Sequence, residues 1–162
     1  MKKWNDLAEE LKKEPMILGT RVTGESLKRI YESGLAIKKE YGGEIIAFRG
    51  LWHVNGNGCM EMGSFWIKPE WRGHKLGSRI MEEIYSIFPP GKTIFVITRN
   101  PKVAHLLRKH DWQEATPDNW EEVVPFEDSC APCDQVPEEE KKNCPYKGQE
   151  GKCMMFFYQA ES

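Results

Sequence analysis

The sequence lacks several features that would assign it to a common class of protein. No apolar run in its 162 residues approaches the roughly 20 residues that a helix needs to span a bilayer. Internal repeats and low-complexity tracts are absent, apart from a short charged run at 138–142. Neither GxGxxG nor GxxxxGK[ST] occurs, which argues against dinucleotide-binding and Walker-type sites. We therefore expect a folded chain with no membrane partner.

Strong net charge is also lacking, because two oppositely charged regions cancel. The formal net charge is -2, but residues 1–113 carry +6 and residues 114–150 carry -8. With 40% hydrophobic and 30% charged residues, the composition suits one domain spanning 1–162. The first 14 residues are charged throughout, so we expect no signal peptide and a cytoplasmic chain.

The spacing of apolar residues predicts helices and strands in a definite order. Helical periodicity is found in four segments, at 4–11, 24–34, 69–87 and 103–110. Strand-like runs are found at 16–23, 35–40, 45–54, 59–68, 92–98 and 154–159. Gly42-Gly43 and the turn at 55–58 separate the second, third and fourth of these runs. The middle of the chain is thus predicted to be an antiparallel meander, followed by a helix, a buried strand and a helix.

A strand followed by a glycine-containing turn and a helix predicts an anion site. Unpaired amide groups and the positive end of the helix dipole would meet at the turn after Pro69. Cationic and small side chains share this turn, namely Arg72, Gly73, Lys75, Gly77, Ser78 and Arg79. Phosphate or pyrophosphate would suit the site, although these residues alone do not say which anion binds.

Two motifs resemble the GNAT N-acetyltransferase superfamily. The stretch 63–80 is similar to its acetyl-CoA signature, with Arg72 first and Gly77 last in the pattern Q/R-x-x-G-x-G/A. The stretch 100–112 resembles the superfamily's Asn-x-x-Ala-x-x-Leu-Tyr-x-Lys-x-Gly-Phe helix. Lys75 and Asp111 replace glycines of the two motifs, and Leu107 replaces the tyrosine that protonates the leaving thiolate in many members.

The resemblance implies an α/β fold with a mixed, mostly antiparallel central sheet flanked by helices. It also implies direct transfer of an acetyl group from acetyl-CoA to a primary amine in a ternary complex. Backbone groups of 65–67 would hold the pantetheine arm and the amides of 73–78 the pyrophosphate. The implied cofactor-binding residues are Phe65, Trp66, Ile67, Arg72, Gly73, His74, Lys75, Leu76, Gly77, Ser78 and Asn100.

Glu61 is the candidate catalytic base. It lies where several relatives place a catalytic glutamate, and its spacing from Phe65 and Ile67 puts the three side chains on one face of a strand. An exposed surface glutamate is the alternative interpretation. Since Leu107 cannot donate a proton, the general acid is left open between solvent, Tyr85 and Tyr158.

Four of the five cysteines cluster in the acidic region, whereas Cys59 stands alone upstream. The cluster begins with a Cys-x2-Cys pair, Cys130 and Cys133, and continues with Cys144 and Cys153. Four cysteines with such a pair are typical of a tetrahedral zinc site. An iron–sulfur centre, disulfides or a redox pair, and unliganded thiols are the alternatives. The four lie in an acidic insertion at 117–153, before the last strand, which we expect to have little core of its own and to form a small cysteine-rich loop or knuckle.

Three classes of function follow from these features. The leading hypothesis is an N-acetyltransferase whose partners are acetyl-CoA and an unidentified amine. A non-catalytic acyl-CoA-binding or regulatory module is the first alternative, because the tyrosine and the central glycine are replaced. A zinc-dependent nucleic-acid-binding protein is disfavoured, because the cysteine segment is acidic. The oligomeric state is open, with a homodimer as one option.

Overall fold

The chain divides into two compact units in a computed structural model that describes residues 1–14, 22–54, 58–133 and 135–162. The first unit comprises 1–52 and 62–89, and the second comprises 53–61 and 90–162. No helix in the described parts of the chain is long and apolar enough to cross a membrane.

The helices and strands follow the predicted order. The helices are α1 (Lys2–Lys12), α2 (Gly24–Glu32), α3 (Leu76–Ile84), α4 (Pro101–Lys109), α5 (Trp120–Val123) and α6 (Phe126–Ser129). The strands are β1 (Ala36–Tyr41), β2 (Glu44–His53), β3 (Cys59–Ile67), β4 (Thr93–Thr98), β5 (Gln113–Glu114) and β6 (Met154–Gln159). They form one six-stranded sheet in the order β1-β2-β3-β4-β6-β5. The predicted mixed, mostly antiparallel sheet flanked by helices is therefore confirmed.

The described residues of the first unit include two apolar clusters. Trp4, Leu7 and Leu11 of α1 pack with Leu27 of α2 and Phe48 of β2. α2 begins at a capping box, in which the Thr23 side chain accepts a hydrogen bond from the amide of Ser26 and the Ser26 side chain accepts one from the amide of Thr23.

The second cluster joins the sheet to α3. It contains Ile46 and Ala47 of β2 with Leu76 and Ile80 of α3. The helix predicted to reach residue 87 ends at Ile84, because the chain tightens into a 3₁₀ turn at Tyr85–Ile87 before the two prolines.

The second unit is built on β4 and β6. β4 pairs with residues 59–61 of β3 in parallel and with β6 antiparallel, and the short β5 pairs with β6. α4 begins two residues before the predicted start, because Asn100 caps it and Pro101 occupies its first turn. The strand predicted at 16–23 lies largely outside the described residues, as does most of the turn at 55–58.

The start of the insertion packs into the core of the second unit, which the expectation of little core of its own did not anticipate. Trp120 and Val124 are fully buried and pack with Phe95 and Met155. The sequence concealed this contribution because these apolar residues lie between acids rather than in an apolar run.

Candidate active site

In the first unit, the turn between β3 and α3 has the geometry of an anion site. None of the described residues accepts a hydrogen bond from the backbone amides of 73–78, and α3 has no side-chain cap at its N-terminus. Six amides are thus available where the helix dipole is positive. Lys75 and Arg79 are partly or fully exposed and add positive charge. The turn can therefore bind a phosphate group.

Lys75, which replaces a glycine of the first motif, has a left-handed backbone conformation. Its φ is 62° and its ψ is 18°, in the left-handed region that side chains disfavour. Asp111 does the same in the second unit, with a φ of 61°. Both residues that replace motif glycines therefore lie in the left-handed region, at some cost in strain.

The end of β3 is fixed against this turn. The Arg72 Nε donates a hydrogen bond to the carbonyl oxygen of Ile67 at 2.9 Å, and its guanidinium forms an ion pair with Glu14 at 3.3 Å. A Cβ built on Gly77 would lie 3.2 Å from Cζ of Phe65 and 3.6 Å from Cδ1 of Ile67. Gly77 therefore lets α3 approach the strand closely.

Trp66 can contribute only its backbone to this site. Its side chain is buried in the cluster of α1 and α2, as expected from the alternation along β3. Ser64 is buried in step with that alternation, but its φ of 55° is irregular for a strand, and its Oγ accepts a hydrogen bond from Nε1 of Trp52 at 3.1 Å. A serine in a strand-like run gives no sequence signal for this conformation, so the irregularity was missed.

The second unit carries the remaining predicted site residues. Glu61 is half-buried and lies opposite Phe95 in the parallel pair of β3 and β4. The Asn100 Oδ1 accepts a hydrogen bond from the amide of Lys102, so this side chain caps α4 and leaves its NH₂ group as a donor. Leu107 is fully buried, and its hydrocarbon side chain has no proton to donate.

A groove of about 870 Å³ in the first unit is a poor match to the cofactor site. It lies between α1, the β1–β2 turn and the residues after β3, and of the predicted site residues only Trp66 lines it. Its charges pair with one another, as in the Lys68–Glu44 contact at 2.6 Å and the Lys2–Asp6 contact at 2.8 Å. The groove offers no excess of cations to a phosphate.

The four clustered cysteines lie in linked turns of the second unit. The amide of Cys133 donates to the carbonyl of Cys130 at 3.0 Å, and the amide of Gln135 donates to Sγ of Cys133 at 3.4 Å. Cys153 forms isolated bridges to Lys147 and Gln149, which follow Cys144 closely. Burial, and after it the negative charges of Cys130, Cys133 and Cys144, raise the pKa of Cys153 to about 12.

Two cations accompany these cysteines. Lys141 is buried, and its Nζ donates to the carbonyl of Ala131, within the Cys130–Cys133 turn, at 2.7 Å. Arg99 opposes the rise in the pKa of Cys153, and its buried Nε has no hydrogen-bond partner among the described residues. Within the described chain, however, no group of three or more His, Cys, Asp or Glu side chains is arranged to hold a metal ion.

Comparison with known protein families assigns most of the chain to one family. The model of the acetyltransferase (GNAT) family matches residues 4–112. No curated protein matches the chain.

Several solved structures share the fold at low sequence identity. N-acetylglutamate synthase from Neisseria gonorrhoeae, complexed with coenzyme A and N-acetyl-glutamate, is 13% identical with a TM-score of 0.58; the match covers 100% of this chain but only 33% of that protein. YncA from Salmonella typhimurium, solved with its cofactor acetyl-CoA, is 11% identical with a TM-score of 0.58, covering 98% of this chain and 87% of that one. A GNAT-family acetyltransferase from Staphylococcus aureus Mu50 is 11% identical with a TM-score of 0.57, covering 99% and 92%. The chain thus spans about a third of the length of the synthase.

Proposed function

The chain belongs to the acetyltransferase (GNAT) family, and from this premise we propose that it transfers an acetyl group from acetyl-CoA to a primary amine by direct attack in a ternary complex. The observation that carries the proposal is the turn between β3 and α3. Six amides without acceptors among the described residues and two cations suit the pyrophosphate of acetyl-CoA. The backbone of 65–67 would hold the pantetheine arm by strand-like hydrogen bonds, and the NH₂ group of Asn100 would contact the cofactor.

Glu61 is proposed to remove a proton from the amine, directly or through water. The amine nitrogen then attacks the thioester carbonyl, so that a C–N bond forms, the C–S bond breaks, and coenzyme A leaves as the thiolate. Solvent, Tyr85 or Tyr158 would return a proton to the sulfur, because Leu107 cannot.

Titration calorimetry with acetyl-CoA tests the cofactor site. Wild type should bind, and Gly77→Arg should not, because even a Cβ at this position lies 3.2 Å from Phe65. Glu82→Arg, which places the same side chain on an exposed position of α3, is the matched control and should bind normally. A wild type that does not bind acetyl-CoA contradicts the proposed function.

Release of coenzyme A with a panel of amines then tests catalysis. Glu61→Gln should lower kcat by roughly 10²–10⁴-fold at unchanged acetyl-CoA affinity, which is the usual contribution of a general base. Glu44→Gln, at the exposed start of β2, serves as control. Binding without turnover across the panel would instead favour the acyl-CoA-binding module.

We also propose that Cys130, Cys133, Cys144 and Cys153 hold a structural zinc ion. Their linked turns and the effect of three of the thiols on the pKa of the fourth support it. Because no ligand group is already arranged, the thiols would have to close on the ion as it binds. A zinc tetrathiolate carries a net charge of about -2, which Arg99 would partly offset.

Metal analysis of the purified protein tests the zinc proposal. Wild type should hold about one zinc per chain, and the double variant Cys130→Ser/Cys133→Ser should hold none. Cys59→Ala, which alters the cysteine outside the cluster, should keep the metal. Equal zinc content in wild type and the double variant would contradict the proposal, and so would bound iron or disulfides in place of zinc.

A further inference from the structure

Arg49 is a buried cation in β2 that has no carboxylate partner. Arg49 is 1% exposed, and none of the described acidic side chains forms an ion pair with it. The buried Nε has no hydrogen-bond partner within the described chain, and Nη1 lies 3.8 Å from Sδ of Met81. Burial lowers the pKa of this guanidinium to about 10. A charge in such surroundings is costly, and an apolar side chain of similar length would fill the space more cheaply.

The group that Arg49 does contact is the ring of Phe65. The guanidinium carbon lies 4.5 Å from the ring centroid, which is within the range of a cation–π interaction. The same ring touches Gly77, since a Cβ there would come within 3.2 Å of Cζ. Phe65 therefore contacts both Arg49 and the first turn of α3, whose amides face the proposed pyrophosphate site.

We propose that Arg49 is a positioning residue of the cofactor site, which holds the Phe65 ring against Gly77 and so fixes strand residues 65–67 relative to the amides of α3. The proposal rests on the proposed function. A cation–π contact favours one face of the ring, whereas an aliphatic side chain would let the ring turn and slide. Arg49 does not touch the cofactor; it acts through Phe65.

A double-mutant cycle in the full chain tests this role. Acetyl-CoA affinity is measured by calorimetry for Arg49→Met, Phe65→Leu and the double variant. Each single variant should weaken binding about fivefold to twentyfold, and the double variant should bind no more weakly than the weaker single one. Arg49→Lys should restore part of the affinity, because it keeps a cation over the ring. The KM for acetyl-CoA should rise while kcat at saturation falls less than about twofold.

Arg108→Met is the matched control, because its guanidinium also lies over a phenylalanine, Phe156, at 5.4 Å in the second unit. It should bind acetyl-CoA as wild type does. If Arg49→Met shows no cooperative unfolding and is therefore not folded, Arg49→Gln removes the positive charge in its place.

The outcomes separate the two proposals. Wild-type affinity in a folded Arg49→Met or Arg49→Gln overturns the role of Arg49, and so do additive losses in the double variant. A wild type that fails to bind acetyl-CoA overturns the proposed function and this inference together. If wild type binds acetyl-CoA and the Arg49 variant binds it with the same affinity, only the inference about Arg49 is overturned.

Discussion

Replacing Lys75 by glycine should make the protein more stable and its cofactor binding weaker. The left-handed backbone of Lys75, with a φ of 62°, costs about 1–2 kcal/mol for a residue with a side chain. Glycine removes that cost but loses about 0.5–1 kcal/mol through its larger freedom in the unfolded chain. The free energy of unfolding should therefore rise by about 0.5–1 kcal/mol. For a chain of this length that corresponds to an increase in Tm of about 1–4 °C.

Lys75→Ala separates the effect of the backbone from that of the charge. It removes the same ammonium group but keeps a Cβ at the left-handed position, so it should be about 1 kcal/mol less stable than Lys75→Gly. Both variants should bind acetyl-CoA about twofold to fivefold more weakly than wild type, as is usual for one exposed ionic contact. Urea unfolding and calorimetry measure the two quantities on the same samples.

Two results would refute this reasoning, each at a different step. If Lys75→Ala is as stable as Lys75→Gly, the backbone strain attributed to this turn does not exist in solution. If both variants bind acetyl-CoA with wild-type affinity, the Lys75 side chain does not face the phosphates, and the amides of 73–78 hold them without it.

Three further substitutions test other parts of the structure. Asp111→Gly should change the free energy of unfolding by less than about 0.5 kcal/mol in urea, because aspartate tolerates its φ of 61° better than lysine does; a loss above 1 kcal/mol would contradict this. Arg49→Met should raise stability by about 1–2 kcal/mol at pH 7, because the lowering of the guanidinium pKa to about 10 represents about 3 kcal/mol and the lost cation–π contact about 1–2. The gain should be full below pH 10 and shrink as the pH rises above it, because the native guanidinium loses its proton before the unfolded one; a destabilised variant at pH 7 would be the contrary result. Lys141→Met should release zinc to a chelator about tenfold faster than Lys142→Met, a variant of its exposed neighbour, because Lys141 donates a hydrogen bond to the Cys130–Cys133 turn. Equal rates would show that Lys141 does not stabilise this turn.

The pattern of apolar residues was enough to predict most of the elements of the fold. Leu7 and Leu11 of α1 recur at helical spacing, and the turn at Gly42-Gly43 divides β1 from β2, so period and turn chemistry agree. The boundaries were less certain, as the early end of α3 at Ile84 illustrates. The apolar spacing continues to Ile87, beyond the point where the α-helix gives way to a 3₁₀ turn. Periodicity alone therefore cannot locate the end of a helix.

The sequence identifies a residue of the candidate site only where that residue belongs to one of the two motifs. Gly77 and the cations of the turn could be identified from the sequence. Arg49 could not, because an arginine in a strand that is otherwise apolar gives no sign of what its guanidinium contacts. The left-handed Ser64 was equally hidden, since serine adopts this conformation only where the surrounding strand imposes it.

The insertion is acidic, yet some of its acids form ion pairs with nearby bases. Glu150 contacts Arg108 at 3.1 Å, and Glu121 lies 3.9 Å from Lys147. Exposed pairs of this kind contribute about 0–1 kcal/mol each, so they do not by themselves hold the segment in place.

Burial of Trp120 is the larger contribution to holding the insertion. A fully buried aromatic side chain stabilises by about 2–3 kcal/mol, from which its Nε1, without a partner among the described residues, subtracts about 1–2. Val124 adds a second buried side chain beside it. The start of the insertion is thus held by the core of the second unit. A metal would be needed only for the later part, from Cys130 to Cys153, where the described residues are mostly exposed. Removing zinc should therefore loosen that part and leave the packing around Trp120 intact. The fluorine NMR signal of Trp120 in protein labelled with fluorotryptophan, assigned by its loss in Trp120→Phe, would report this packing.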